Sequence, residues 1–151
     1  MRRRTGSAVA VIAATVAVAV SGCGSSSVSA LQLRTGAQRA CAAAALRLGR
    51  IQAPQQPGGG EAFVSQGIAA LAPELTALKR LSPTPQLAAS YRRARSATEQ
   101  VLSALRSTLK GLKAGNDPVV AIKTLQQELL PLEGRAQAAW HAVGVPACAG
   151  T

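Results

Sequence analysis

Aromatic side chains are nearly missing from this 151-residue chain: Phe63, Tyr91 and Trp140 are the whole set. The residues that favour strands are scarce after position 28, while alanine and leucine, both strong helix formers, are abundant. That imbalance argues against a sheet and for helices around a narrow, alanine-lined core. Histidine is equally thin. His141 stands alone, so a Ser-His-Asp device would have to pair it with Asp117, the one aspartate, at the opposite end of the same helical segment. The last turn of that helix is a favourable place for a cation, which gives His141 a structural role. The only methionine is Met1, which excludes Met/His haem ligation and methionine-rich copper sites further along. There is no CxxC, no CxxCH and no Glu-x-x-His pattern of di-iron bundles. Gly58-Gly59-Gly60 lacks the Lys and Ser/Thr that complete a phosphate loop. The expectation is a protein without cofactor or resident metal, acting by binding and not by catalysis.

A long hydrophobic run is also missing. The longest, Ala8 to Val20, has 13 residues and is interrupted only by Thr15. As a helix it would extend roughly 20 Å, short of a ~30 Å hydrocarbon core. It follows the cationic stretch Arg2-Arg3-Arg4, which together is the build of a signal peptide and not of a permanent span. The run ends in Val20-Ser21-Gly22-Cys23. This resembles the bacterial lipobox, a branched apolar residue and two small ones before a cysteine, with Val20 standing where leucine is favoured. The resemblance covers the first 23 residues and implies a diacylglyceryl group on Cys23, cleavage after Gly22 and a lipid anchor on the extracytoplasmic face of the cell membrane. Two acyl chains make such anchoring stable, each buried methylene contributing ~0.8 kcal/mol. The expected layout is a leader over 1–22, a lipidated flexible tether over 23–35, and a helical bundle domain over 36–151.

In the remaining chain apolar residues recur at alternating steps of three and four, the period of a helix with one buried face. Thr35-x-x-Gln38 has the spacing of a capping box, and Ala37, Cys41, Ala44, Leu48 and Ile51 follow on one stripe up to Pro54. A second stripe carries Val64, Ile68, Leu71, Leu75 and Leu78, with a kink or break expected at Pro73. Thr84-Pro85 and Asp117-Pro118 read as an N-cap followed by a first-turn proline. Behind them run Leu87, Tyr91, Ala94, Thr98, Val101, Leu105 and Leu112, then Ile122, Leu125, Leu129, Leu132, Ala136, Ala139 and Val143, with a bend expected at Pro131. Gly115 and Gly144 close these two helices. Four amphipathic helices joined by short turns predict an all-α, up-down-up-down four-helix bundle.

With Cys23 lipidated, Cys41 and Cys148 remain as an even pair in an oxidising compartment. In an antiparallel bundle the start of helix 1 and the residues after helix 4 lie at the same end, so the topology predicts a disulfide between them. Closing a loop of that length contributes ~4.7 kcal/mol in the chain-entropy model.

Charge points outward to partners. Loss of Arg2, Arg3 and Arg4 with the leader lowers the formal charge from +11 to +8, which still favours anionic surfaces. The bundle topology brings Arg39, Lys79, Arg80, Arg92, Arg93 and Arg95 to the end from which the tether leaves, with Arg135 nearby. Anionic lipid head groups or an envelope polymer are the expected partners of that end. Nucleic acid is not expected, given the location and the lack of stacking aromatics apart from Tyr91. Two alternatives remain open. The bundle could be an adaptor for an envelope protein, docking through Leu102 and Leu109 beside the helix 3 stripe, or it could carry a small apolar ligand between its helices.

Overall fold

The computed structural model describes residues 29–150. Cys23 and the leader lie outside the described residues. Four helices follow in order, α1 (Ala30–Leu48), α2 (Gly60–Lys79), α3 (Pro85–Lys113) and α4 (Pro118–Val143). Short 3-10 turns occupy Pro57–Gly59 and Pro146–Cys148. No strand occurs among the described residues. Each helix packs along the next, giving the expected up-down-up-down bundle.

The first helix starts earlier than its pattern suggests. Ser29, not Thr35, is the N-cap: its Oγ accepts from the Gln32 amide at 3.2 Å, and Gln32 Oε1 accepts from the Ser29 amide at 3.0 Å. Thr35 and Gln38 lie inside the helix. The reason is Leu33, which precedes Ala37 by four residues and is fully buried, extending the apolar stripe one turn further back. Gly36 then falls mid-helix, where a Cβ would stand 2.9 Å from Leu81 Cδ2; the missing side chain lets Leu81 close over the start of the helix. α1 ends at Leu48, so Ile51 lies in the following loop, half-buried.

The internal prolines do not break their helices. Pro73 and Pro131 both lie on exposed positions of continuous α2 and α4. Pro73 deprives the carbonyl of Ala69 of its helical donor, but Ala69 is exposed and open to water. The neighbouring carbonyl of Ala70 receives Arg47 Nε–H from α1 at 3.0 Å.

The other caps separate in quality. Asp117 Oδ1 accepts from the amides of Val119 and Val120, both at 2.9 Å. Thr84 occupies its expected N-cap position, yet its hydroxyl makes no capping bond. The Thr84 carbonyl takes the Leu87 amide instead, at 3.0 Å. Gly144 closes α4 in the left-handed region at φ +79, where a side chain would be strained and would meet the Arg34 guanidinium.

The core divides into two clusters. At the end where α1 and α3 begin and α2 and α4 finish, Trp140 and Tyr91 meet edge-to-face, with ring centroids 5.8 Å apart. Both rings are fully buried with their polar tips satisfied: Tyr91 Oη–H donates to the Leu78 carbonyl at 2.7 Å, and Trp140 Nε1–H donates to Thr98 Oγ1 at 3.1 Å. The opposite half is aliphatic, built on Ala44, Val64, Leu71, Val101, Leu102, Leu105 and Leu125. Leu102 is buried there and Leu109 packs against it, so the two belong to the core and offer no docking face.

Candidate functional site: the disulfide-closed basic end

α1 is the first helix and α4 the last, and what joins them is the segment after α4. Cys148, in the 3-10 turn Pro146–Cys148, is bonded to Cys41 in the middle of α1, with Cα atoms 5.0 Å apart across 107 residues. Both sulfurs are buried. Arg34 adds a second tie, its Nε–H donating to the Val143 carbonyl at 2.9 Å. The pairing expected from topology is the pairing found.

Beside the disulfide lies a residue that the stripe pattern passes over. Glu74 is 1% exposed, and its Oε1 is 3.3 Å from Cys41 Sγ. The signal was present: Leu71, Glu74, Leu75 and Leu78 share one helical face, so a carboxyl on that face had to enter the interior. The donor atoms of Cys41, Glu74 and Cys148 all lie within 4.8 Å of one another. Among the described residues this is the one group of three or more His, Cys, Asp or Glu donors close enough to share an ion.

Of the cations expected at this end, Lys79 and Arg80 close α2 and Arg92, Arg93 and Arg95 lie early in α3, whereas Arg39 falls at the middle of α1 because that helix starts at Ala30 and not at Thr35; nor do they act alike. Arg39, Arg80, Arg92 and Arg93 are exposed. Lys79 is also exposed, yet its Nζ pairs with Glu99 Oε1 at 2.9 Å, which offsets its charge locally. Arg95 is half-buried and turns inward near Tyr91, its Nε buried without a hydrogen-bond partner. Burial pushes the Tyr91 phenol up to about 12, opposed in part by the Arg95 charge. The phenol therefore stays a neutral donor through the physiological range. Positive charge is not confined to this end, because Arg47, Arg50, Arg106, Lys110, Lys113 and Lys123 are distributed over the other half.

A different feature occupies that other half. Away from the disulfide, α1 and α4 scarcely touch, and an apolar groove of about 340 Å³ opens with all four helices contributing. Phe63, Gly67, Leu105, Ile122 and Leu129 line it, with Ile51 from the loop after α1. Gln126 and Glu133 are the polar residues on its wall. A hollow of about 420 Å³ near the α3–α4 turn is polar and shallow by comparison, bordered by Ser107, Asn116, Asp117 and Thr124.

His141 is exposed in the last turn of α4. Asp117 caps the other end of that helix, roughly 36 Å away at 1.5 Å per residue, so the two cannot share a reacting atom. No described helix is long and apolar enough to cross a membrane. No family model, no curated protein and no solved structure matches this chain.

Proposed function

We propose that the protein is a lipid-anchored, non-catalytic binding module of the cell envelope, standing on the extracytoplasmic face of the membrane with its basic, disulfide-closed end against anionic head groups. The observation that carries this reading is the cap at Ser29. The N-cap of α1 lies six residues after Cys23, half the tether length expected from a cap at Thr35. Six residues reach at most about 20 Å. Lipid on Cys23 would thus hold the start of α1, and Arg80, Arg92 and Arg93 at the same end of the bundle, within reach of the head groups. Each cation near an anionic surface contributes about 1 kcal/mol, falling off within a Debye length.

Sedimentation of the mature chain, secreted without lipid, with vesicles of anionic or neutral composition tests the electrostatic part. Binding should need anionic lipid and weaken with salt. Reversing Arg80, Arg92 and Arg93 to Glu should abolish it, whereas reversing Arg106, Lys110 and Lys113 at the other end should leave most of it. Equal binding to both vesicle types, or equal loss from the two triple variants, removes the end-on orientation. Mass spectrometry of the amino-terminal peptide tests acylation of Cys23 directly.

The groove favours a second reading, carriage of a small apolar ligand such as a single acyl chain. Its size and lining fall in the range of small-molecule sites. Titration with a fluorescent fatty-acyl probe should give saturable binding that filling the groove by Gly67→Leu removes. Absence of saturable binding to the unaltered protein eliminates it.

A further inference from the structure

α1 and α4 are tied at the disulfide end and part beyond it, which leaves the apolar groove open to water. Phe63, Ile122 and Leu129 are only half-buried there, so the groove holds apolar area that an occupant would remove from water. Its charged surroundings are uneven. Through Ile122 and Gln126 it meets a hollow of about 410 Å³ whose single charged residue is Lys123. Through Ile51 it meets another, of about 260 Å³, bordered by Arg47 and Arg50. Among the described residues, the one acid bordering the groove or these two hollows is Glu133. It follows Lys123 on α4 at a distance of about 15 Å along the helix. Resting on the reading of the groove as a ligand carrier, we propose that it binds a single-chain anionic amphiphile, with the head group at Lys123 and the tail along Leu125 and Leu129 toward Glu133.

Size and charge suit this class. A volume of about 340 Å³ lies near the lower limit of small-molecule sites, about 300 Å³, so one acyl chain fits and the two of a bilayer lipid do not. From Ile122 to Glu133 the lining extends about 16 Å along α4, which sets the length of tail it covers. Lys123 is exposed and makes no ion pair among the described residues, so its charge is available to an anion. Asp117, the acid just before this stretch of α4, is engaged by the amides of Val119 and Val120. A cationic amphiphile would have to place its head at Glu133 and its tail toward Lys123. Three cations against one acid around the groove favour the anion.

The place of the groove in the bundle narrows the ligand further. Leu48, on its wall, closes α1, roughly 28 Å along the helix from the cap at Ser29. With Cys23 in the bilayer, a chain entering the groove would have left the membrane and crossed water as a monomer. A single-chain anion does this readily and a two-chain lipid does not. Lysine meets an anion as a point charge without selecting its shape. Fatty carboxylates and monoalkyl phosphates are therefore one class at this site, separated by the measurement below.

Calorimetric titration of the mature chain, secreted without lipid, tests this with probes that share one tail and are kept below micelle formation. They are dodecanoate, dodecyl phosphate, the neutral glycerol monoester of dodecanoic acid, and dodecylammonium. At least one of the anions should bind saturably and at least roughly threefold tighter than the ester, with the gap narrowing as salt is raised. The tighter of the two anions identifies the head group. Lys123→Glu should weaken the anion roughly fivefold to tenfold and erase its preference over the ester. Lys110→Glu, the same charge change on an exposed residue of α3 outside the groove, should do neither. Equal affinity for anion and ester, tighter binding of the ammonium, or equal losses from Lys123→Glu and Lys110→Glu would each overturn the anionic assignment while leaving the groove a carrier. Saturable binding of none of the probes would remove the carrier reading itself, and this proposal with it.

Discussion

Tyr91 joins α3 to the end of α2 through one hydrogen bond, to the Leu78 carbonyl at 2.7 Å, with its side chain fully buried. The same burial that makes the bond firm also holds the phenol neutral, with its titration raised from 10.0 to about 12. Above pH 10 the unfolded chain releases this proton while the folded chain keeps it, so stability falls as pH rises through the window from 10.0 to about 12. The loss amounts to on the order of 2–3 kcal/mol. Tyr91→Phe should cost about 1 kcal/mol at neutral pH, for the lost bond. It should also flatten the alkaline decline, and urea unfolding at pH 7 and at pH 11 measures both. An alkaline slope unchanged in Tyr91→Phe would assign the decline to other groups. Tyr91 was legible from its place on the helix 3 stripe, but its neighbour Trp140 was not. Both Ala139 and Trp140 fit a three-or-four step from Ala136 to Val143, and periodicity alone does not choose between them. What chooses is the Thr98 hydroxyl across the interface, a partner visible only in three dimensions. Glu74 escaped for a related reason, since a search for apolar repeats steps over a carboxyl that shares their face.

Among the helices, what could be read from sequence is separated from what could not by how each amide is satisfied. Asp117 and Thr84 carry the same motif, a capping residue followed by proline, yet only Asp117 caps with its side chain. Asp117→Ala should therefore destabilise the fold by about 1 kcal/mol, while Thr84→Ala should change it by no more than a few tenths, as measured by chemical denaturation. Comparable losses from both would mean that the Thr84 hydroxyl caps α3 in solution. The start of α1 presents the same ambiguity. Ser29-x-x-Gln32 and Thr35-x-x-Gln38 have identical spacing, and burial of Leu33 decides in favour of the earlier one. The consequence extends beyond one turn of helix, because it shortens the stretch between Cys23 and the folded domain. α2 runs unbroken through Pro73, as α4 does through Pro131, because both rings lie on exposed positions, where water can serve the carbonyl that each proline leaves behind.

In the molecule as a whole, helix order and cysteine pairing were legible together, since an antiparallel bundle of four brings Cys41 and Cys148 to one end. Less legible was how unevenly the bundle is closed. α1 packs along α2 and against the terminal turn, but hardly on α4, so the disulfide and the Arg34 bond carry the closure. Replacing both cysteines with serine should cost several kcal/mol, up to about 4.7 in the chain-entropy model. Amide exchange should show α1 losing protection before α3 and α4. Uniform loss across all four helices would mean that α1 is held as firmly by packing as by its bridge.

The groove is the other side of this uneven closure. α1 stops at Leu48, short of Pro54, and Gly67 on the facing wall has no side chain to fill the gap left between α1 and α4. A Cβ at Gly67 would meet nothing nearer than Leu105 Cδ1 and Cδ2 at 4.0 Å, so alanine fits without strain. In mid-helix the exchange should stabilise by about 1 kcal/mol, because glycine loses more conformational freedom than alanine on entering a helix. Thermal unfolding of Gly67→Ala should accordingly shift upward by a few degrees, with acyl-probe binding kept, since one methyl occupies little of a 340 Å³ space. Gly67→Leu should take up enough of the same space to exclude the probe while the helices remain folded. A stabilised Gly67→Ala beside a folded, probe-excluding Gly67→Leu would show that this glycine is retained for the opening it leaves. Destabilisation by the single methyl would show instead that the two helices close on each other in solution and that no groove persists to be filled.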